Sequence, residues 1–95
     1  MKETSSKGLV RLRLYVAGNA PNSVHAIANA KALFIERGAS GYVLEIVDLM
    51  VHPSRALTDG IIVTPTLLRL SPLPVRRVIG TLSDTEAVLS ALGSK

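Results

Sequence analysis

The architecture can be worked out from one stretch, Val10-Arg11-Leu12-Arg13-Leu14-Tyr15-Val16-Ala17-Gly18-Asn19-Ala20-Pro21-Asn22-Ser23. In its first half, aliphatic residues alternate with arginine, tyrosine and alanine. This alternation is typical of a strand with one apolar face and one partly solvent-exposed face. Gly18-Asn19-Ala20 breaks this pattern. Pro21 then fixes φ, and Asn22 and Ser23 offer side-chain acceptors to the first turn of a helix. The stretch therefore predicts a strand followed directly by a helix.

The helix is expected to run to about Arg37, with Gly38 ending it. At 100° per residue one apolar stripe is formed by Val24, Ile27, Ala28, Phe34 and Ile35. Lys31 falls inside that stripe, so its charged end must reach out to water. A second apolar shoulder, Ala26, Ala30 and Leu33, is more than a small monomer normally exposes. We therefore expect a homo-oligomer, a dimer or a tetramer, unless the terminal helix covers the shoulder.

A second strand is predicted over residues 42–49, apolar on both sides apart from Glu45 and Asp48, as in a strand covered on both faces. Strand, helix and strand in this order imply a parallel pair with a right-handed crossover. Next come a short helix over 53–59, strands over 66–70 and 75–79, and a last helix. Ser83 is the expected N-cap of that helix, with Glu86 completing a capping box.

The predicted order is thus β-α-β-α-β-β-α, an α/β fold, in a chain of 95 residues that has room for one domain. We place that domain at residues 8–95, after a flexible polar tail over 1–7. An apolar content of 47% and a charged content of 19% are typical of a folded protein. No apolar run approaches the ~20 residues that span a bilayer, so we expect a cytoplasmic protein without membrane contact.

The chain has no cysteine, which excludes disulfides, thiolate catalysis, iron–sulfur clusters and thiolate zinc sites. A net charge of +4 would suit an anionic partner. Nucleic acid is nevertheless an unlikely partner, since the basic residues are spread out and three aromatic residues make a poor base-stacking platform.

Neither His25 nor His52 has neighbours at metal or triad spacing, and no phosphate-binding glycine motif occurs. We therefore expect exposed histidines, no cofactor, and no nucleotide chemistry in the chain itself. Asp48, at a strand end, is expected to accept N–H bonds from a loop.

The element order resembles the thioredoxin-like plan, and Pro65-Thr66-Leu67-Leu68 resembles the thioredoxin segment that begins with a cis-proline. Thioredoxins carry their redox dithiol at the turn between the first strand and the first helix. This chain has Gly18-Asn19-Ala20-Pro21-Asn22-Ser23 there instead. The resemblance thus implies the fold of an oxidoreductase without its chemistry.

A closer resemblance covers residues 12–92. Its motifs are Leu14 to Ser23, Ile46-Val47-Asp48, Thr64-Pro65-Thr66-Leu67 and Pro72-Leu73-Pro74-Val75-Arg76-Arg77-Val78-Ile79-Gly80. Together they are similar to the KaiB family of circadian clock proteins. The resemblance implies a non-enzymatic regulator that binds KaiC or a KaiC-like ring ATPase and autokinase. It would modulate the ATPase's phosphorylation state and signalling output, in a clock or in a stress or light response. A clock-output histidine kinase and KaiA are further implied partners.

Two other functions stay open at this point. One is a thioredoxin-fold, glutathione-dependent enzyme that uses Ser23 or Tyr15 beside the cis-proline. The other is a KaiB-like sensor module of a histidine kinase.

Five residues are candidates for partner binding. Arg69, Arg76 and Arg77 flank the hairpin turn, where guanidinium groups can engage carboxylates. Adjacent strand residues point to opposite sides, so at most one of Arg76 and Arg77 shares a side with Arg69. Asn19 and Asn22 suit helix capping or partner contact.

The resemblance also implies that the C-terminal half, from about Leu57, can adopt a second packing in the free oligomer. Pro65, Pro72 and Pro74 lie within eleven residues, and the isomers of an X-Pro bond differ by only about 0.5 to 1 kcal/mol in an open chain. Cis and trans sets of these bonds would separate the two packings.

Overall fold

The computed structural model describes residues 9–36 and 41–93, which form a four-stranded sheet with helices. In chain order the elements are β1 (Val10–Val16), α1 (Pro21–Lys31), β2 (Tyr42–Asp48), α2 (Ser54–Asp59), β3 (Thr66–Ser71), β4 (Arg76–Ile79) and α3 (Thr85–Ala91). The strand order is β2-β1-β3-β4, with β1 parallel to β2 and antiparallel to β3, and β3 antiparallel to β4. The predicted order of elements and the parallel crossover are confirmed. The expected tail and the helix end at Arg37 and Gly38 lie outside the described residues.

The first face of the sheet packs on α1 and α3 and forms the main core. Its buried members are Leu12, Leu14, Val16, Ala26, Ala30, Leu33, Phe34, Leu67, Leu82, Val88 and Leu92. Burial of this aliphatic surface is the main favourable term for the fold.

The predicted apolar stripe is confirmed only in part: Phe34 is buried in this core and Ile27 packs against it, but the helix contacts the sheet mainly through a different stripe. Ala26 and Ala30 are fully buried, whereas Val24 is 47% and Ile35 54% exposed. The small alanines let the helix approach the sheet closely, and a π-helical turn over Ala32–Glu36 then changes the helical phase. The proposed outer shoulder is therefore the core face, and the argument for self-association from it is wrong. Oligomerisation itself stays a prediction.

Helix α3 begins one residue later than predicted. Its N-cap is Asp84, whose Oδ1 accepts a hydrogen bond from the Ala87 N–H at 3.1 Å, and Ser83 lies exposed before it. The preceding Leu82 is buried at φ +64°, a backbone region that is costly for a bulky residue. The connection from β4 thus turns sharply to bring α3 onto the first face.

The second face is covered by α2 alone, which has no buried residue of its own. A smaller core under it contains Tyr15, Val47, Ile61 and Leu68. Strand β2 is an edge strand, and Val43 and Ile46 are 39% and 37% exposed. The prediction that this strand is covered on both faces is therefore wrong, because at this edge of the sheet the described helices leave Val43 on one face and Ile46 on the other partly open to water.

The C-terminal half has the thioredoxin-like packing, and the peptide bonds before Pro65, Pro72 and Pro74 are all cis. The cis geometry that the resemblance implies for Pro65 is confirmed. The second packing stays a prediction.

A candidate partner-binding surface

The loops at the carboxyl ends of β1 and β2 are held together by Asp48. Its Oδ1 accepts hydrogen bonds from the backbone N–H groups of Gly18 and Met50, both at 2.9 Å, as expected for a strand-end aspartate. Gly18 has φ +55°, and a Cβ there would lie 3.2 Å from the Met50 Cγ. The buried Ser23 accepts from the Ala17 N–H at 2.9 Å. These contacts give the two loops a defined shape.

Apolar side chains from the β2–α2 connection, the α2–β3 connection and the last residue of β4 are exposed at this end of the sheet, where β1, β2 and β4 finish and β3 begins. They are Met50 (71% exposed), Val51 (65%), Ile62 (91%), Val63 (43%) and Ile79 (60%), and we call this set the loop-end surface. Exposed apolar side chains that share one end of a sheet are suited to a protein contact. Sequence reasoning missed it, although apolar pairs at 50–51 and 62–63, outside the regular elements, were the available signal.

Asn19 is exposed in the β1–α1 connection and Asn22 in the first turn of α1, at the same end of the sheet as the loop-end surface. Neither caps α1, whose N-cap is Ala20 and has no side-chain hydrogen bond. The capping interpretation is wrong because the N-cap position falls on Ala20, with Asn19 before it and Asn22 already inside the first turn. Partner contact by the two asparagines stays a prediction.

Arg69 is not an exposed guanidinium, contrary to the prediction. It is only 8% exposed, and its Nη1 and Nη2 donate to the carbonyl oxygens of Leu92 (2.5 Å) and Pro74 (2.6 Å). The reason is that its strand position faces α3, whose last carbonyls need donors. Arg69 thus joins β3 to the hairpin turn and to the end of α3.

Arg76 and Arg77 are both exposed on β4 and point to opposite faces, as predicted. Arg76 lies opposite Arg69 on the first face, and Arg77 lies opposite Leu68 on the second. Arg77 Nη1 donates to the Gly60 carbonyl at 3.4 Å. The structure thus separates the five candidate residues, since the asparagines lie at the loop end and the exposed arginines on the hairpin.

Tyr15 is the centre of a polar network on the second face. It is fully buried, and its hydroxyl donates to Asp59 Oδ2 at 2.6 Å, which also accepts from Arg55 Nε at 3.0 Å. Arg13 adds an ion pair with Glu45 at 2.7 Å. Burial raises the pKa of Tyr15 and the bond to Asp59 raises it further, whereas the same bond lowers the pKa of Asp59.

This network weighs against the glutathione-dependent alternative. The Tyr15 proton is directed at Asp59, and Ser23 is buried with its Oγ bound to a backbone N–H. Neither hydroxyl is therefore available to a substrate thiol.

Metal chemistry finds no support in the part of the chain that the structure describes, where His, Asp and Glu form no group of three that could hold an ion. His25 and His52 are exposed, as predicted. None of the described helices is long and apolar enough to cross a membrane.

The fold and this surface define a thioredoxin-like protein that has no cysteine and exposes apolar side chains at the end of the sheet where β1 leads into α1. The mitochondrial thioredoxin 3 of Saccharomyces cerevisiae superposes with a TM-score of 0.71 at 11% identity, covering 97% of this chain and 84% of that one. The N-terminal domain of Synechococcus elongatus SasA gives a TM-score of 0.68 at 20% identity, with 90% and 84% covered. At these identities the likeness shows the fold alone.

Sequence similarity shows the family. Residues 13–94 match the KaiB domain. The circadian clock oscillator protein KaiB of Synechococcus elongatus is 48% identical over 81 residues, which are 85% of this chain and 79% of that protein. The KaiB of Microcystis aeruginosa is 47% identical over 85% of this chain and 78% of its own length. The chain belongs to the KaiB family, and its relatives support a regulatory role in a clock system.

Proposed function

We propose that this protein acts without chemistry of its own, by binding a KaiC-type ring ATPase and modulating its phosphorylation state and signalling output. The observation that carries the proposal is the loop-end surface in a member of the KaiB family. A surface built for contact, in a chain without cysteine, favours a binding protein over an enzyme.

The loop-end surface is the part of the molecule best suited to an apolar contact. Ile62 and Met50 are large and well exposed, so covering them removes apolar area from water at about 25 cal/mol per Å². Asn19 and Asn22 lie at the same end and supply amide groups for a polar rim, the usual surround of an apolar interface core. Arg76 and Arg77 would act elsewhere, by steering an acidic partner.

The experiment measures binding of the full chain to a purified KaiC-type ATPase in ATP and in ADP, followed by the phosphorylation state of the ATPase. Ile62→Ser is the test variant and Leu57→Ser its control, because Leu57 is equally exposed, at 88%, but lies on α2. We expect Ile62→Ser to weaken binding at least tenfold and Leu57→Ser to leave it within twofold.

Absence of binding in either nucleotide would overturn the proposed partner. Equal losses in the two variants would overturn the assignment of the loop-end surface. A clock-output histidine kinase and KaiA belong to the same proposal as further partners and are tested by the same pair of variants.

A further inference from the structure

The outer edge of β4 presents unpaired backbone groups. Among the described residues, β4 is the last strand of the sheet and pairs with β3 alone. The Gly80 N–H donates to the Pro65 carbonyl at 3.0 Å, so Gly80 and Val78 direct their backbone groups towards β3. Alternation along an antiparallel strand then directs the N–H and C=O groups of Arg77 and Ile79 outward. Within the described residues, no loop or helix backbone bonds to these groups.

A groove of about 460 Å³ runs between this edge and α3. Its walls include Val78 of β4 and Val88 of α3, and the small side chains of Ala87 and Ala91 leave it open. Its volume lies in the range of ligand sites, roughly 300 to 1,000 Å³. A free strand edge beside a groove of mixed lining, with Thr81, Ser83 and Asp84 among its polar members, suits an extended peptide, whose backbone bonds to the edge while alternate side chains enter the groove.

The arginines of β4 indicate what this segment must be. Arg76 and Arg77 are exposed on opposite faces, and no carboxylate of the described residues lies within ion-pair distance of either. A second copy pairing through its own β4 would bring four guanidinium groups together, and like charges on neighbouring strands are destabilising. Charged residues on a strand edge also prevent indiscriminate pairing. An incoming strand with carboxylates on both faces would avoid this repulsion and would pair its charges with Arg76 and Arg77.

We propose that the outer edge of β4 and its groove bind an extended acidic segment of a partner protein by strand addition. This site shares only Ile79 with the loop-end surface, through its backbone rather than its side chain, and does not depend on which ATPase that surface contacts.

The test uses the full chain labelled with ¹⁵N and the capped peptide Val-Thr-Glu-Glu-Val-Thr as probe. We expect the peptide to shift the amide resonances of Arg77, Ile79, Ala87 and Ala91, and the same peptide with Lys-Lys in place of Glu-Glu to leave them unmoved. The affinity should fall at least tenfold in Ala87→Phe, which fills the groove. Ala28→Phe, on the exposed side of α1, is the control and should bind within twofold of the unaltered protein.

A second variant distinguishes backbone pairing with β4 from electrostatic attraction between the acidic peptide and the arginines. Ile79→Pro removes an outward N–H without removing a bond to β3, and proline is tolerated at a strand edge. It should also weaken peptide binding at least tenfold. The amide resonances should stay dispersed, which shows that the variant is folded.

Three results would overturn the proposal. The first is shifts confined to β2, the second is equal binding of the Lys-Lys peptide, and the third is unchanged affinity in both Ala87→Phe and Ile79→Pro. Concentration-dependent shifts at β4 without peptide would identify a second copy as the occupant and overturn it as well. Failure of ATPase binding leaves these measurements unaffected, so the two proposals can fail separately.

Discussion

The two faces of the sheet are stabilised in different ways. On the first face, α1 and α3 cover Leu14 and its aliphatic neighbours, and Arg69 is the one arginine of the described residues buried there. On the second face, α2 is short, buries no residue, and is attached through Asp59 to Tyr15. Aliphatic packing suffices where two helices supply apolar side chains. Where one short helix covers the sheet, less apolar area is buried, and a directional polar network adds to the stability.

The largest expected difference between the two faces is the loss of stability when a buried leucine is truncated to alanine. Leu14→Ala should cost about 4 kcal/mol and Leu68→Ala about 2 kcal/mol, because α2 can settle into a cavity more easily than two packed helices can. The midpoints and slopes of urea unfolding measure both values. Equal losses would mean that the second face is packed as rigidly as the first.

Substitution of Arg69 tests whether a buried polar group also contributes to stability on the first face. Arg69→Ala leaves the carbonyls of Leu92 and Pro74 without their donor, so we expect a loss of about 2 to 3 kcal/mol. Arg76→Ala, its exposed neighbour across the strands, should change stability by less than about 0.5 kcal/mol. Similar values for the two arginines would contradict a structural role for Arg69.

Tyr15→Phe should cost about 1.5 kcal/mol at pH 7, the value of a hydrogen bond to a charged group. The bond lowers the pKa of Asp59, so its contribution is complete above the unfolded pKa of about 3.9 and is lost as pH falls through the folded value. The difference between variant and unaltered protein should therefore shrink as the pH falls below the unfolded pKa of the carboxyl group, as measured by chemical denaturation. A constant difference would show that the hydroxyl does not act through the carboxylate.

The smallest expected effect concerns the start of α3, which positions this helix on the first face. Asp84→Ala should cost about 1 kcal/mol through loss of the N-cap bond, while Ser83→Ala should change stability by less than about 0.5 kcal/mol. Thermal unfolding of the two variants side by side measures the difference. A larger loss of stability in Ser83→Ala than in Asp84→Ala would show that Ser83 is the N-cap.

Patterns that depend on neighbours in sequence were predicted well. The alternation in Val10–Val16, Pro21 at the start of α1, and Gly60 after α2 gave the element order, because each feature acts within one strand or turn. The opposite orientation of Arg76 and Arg77 followed from the strand period alone. Motif similarity to the KaiB family supplied the class of function, which local patterns do not encode.

The candidate site was predicted only in part. Asn19 and Asn22 follow from the turn after β1, but the apolar residues at the same end of the sheet were not recognised. Met50 and Ile62 lie twelve residues apart in sequence. Their connections reach the same end because β2 finishes there and β3 begins there, and Asp48 bonds the Met50 loop to the loop after β1.

The sequence by itself determined the alternation, the breaks and the helix starts, and hence an α/β chain without thiol chemistry. Tertiary structure decided which stripe of α1 is buried, because Ala26 and Ala30 permit a closer approach to the sheet than the larger Val24 and Ile35 do. It also decided that Arg69 is a buried donor, since the carbonyl of Leu92 that it satisfies lies 23 residues further along the chain. Contacts between distant segments depend on the packing of whole elements, and no local periodicity specifies them.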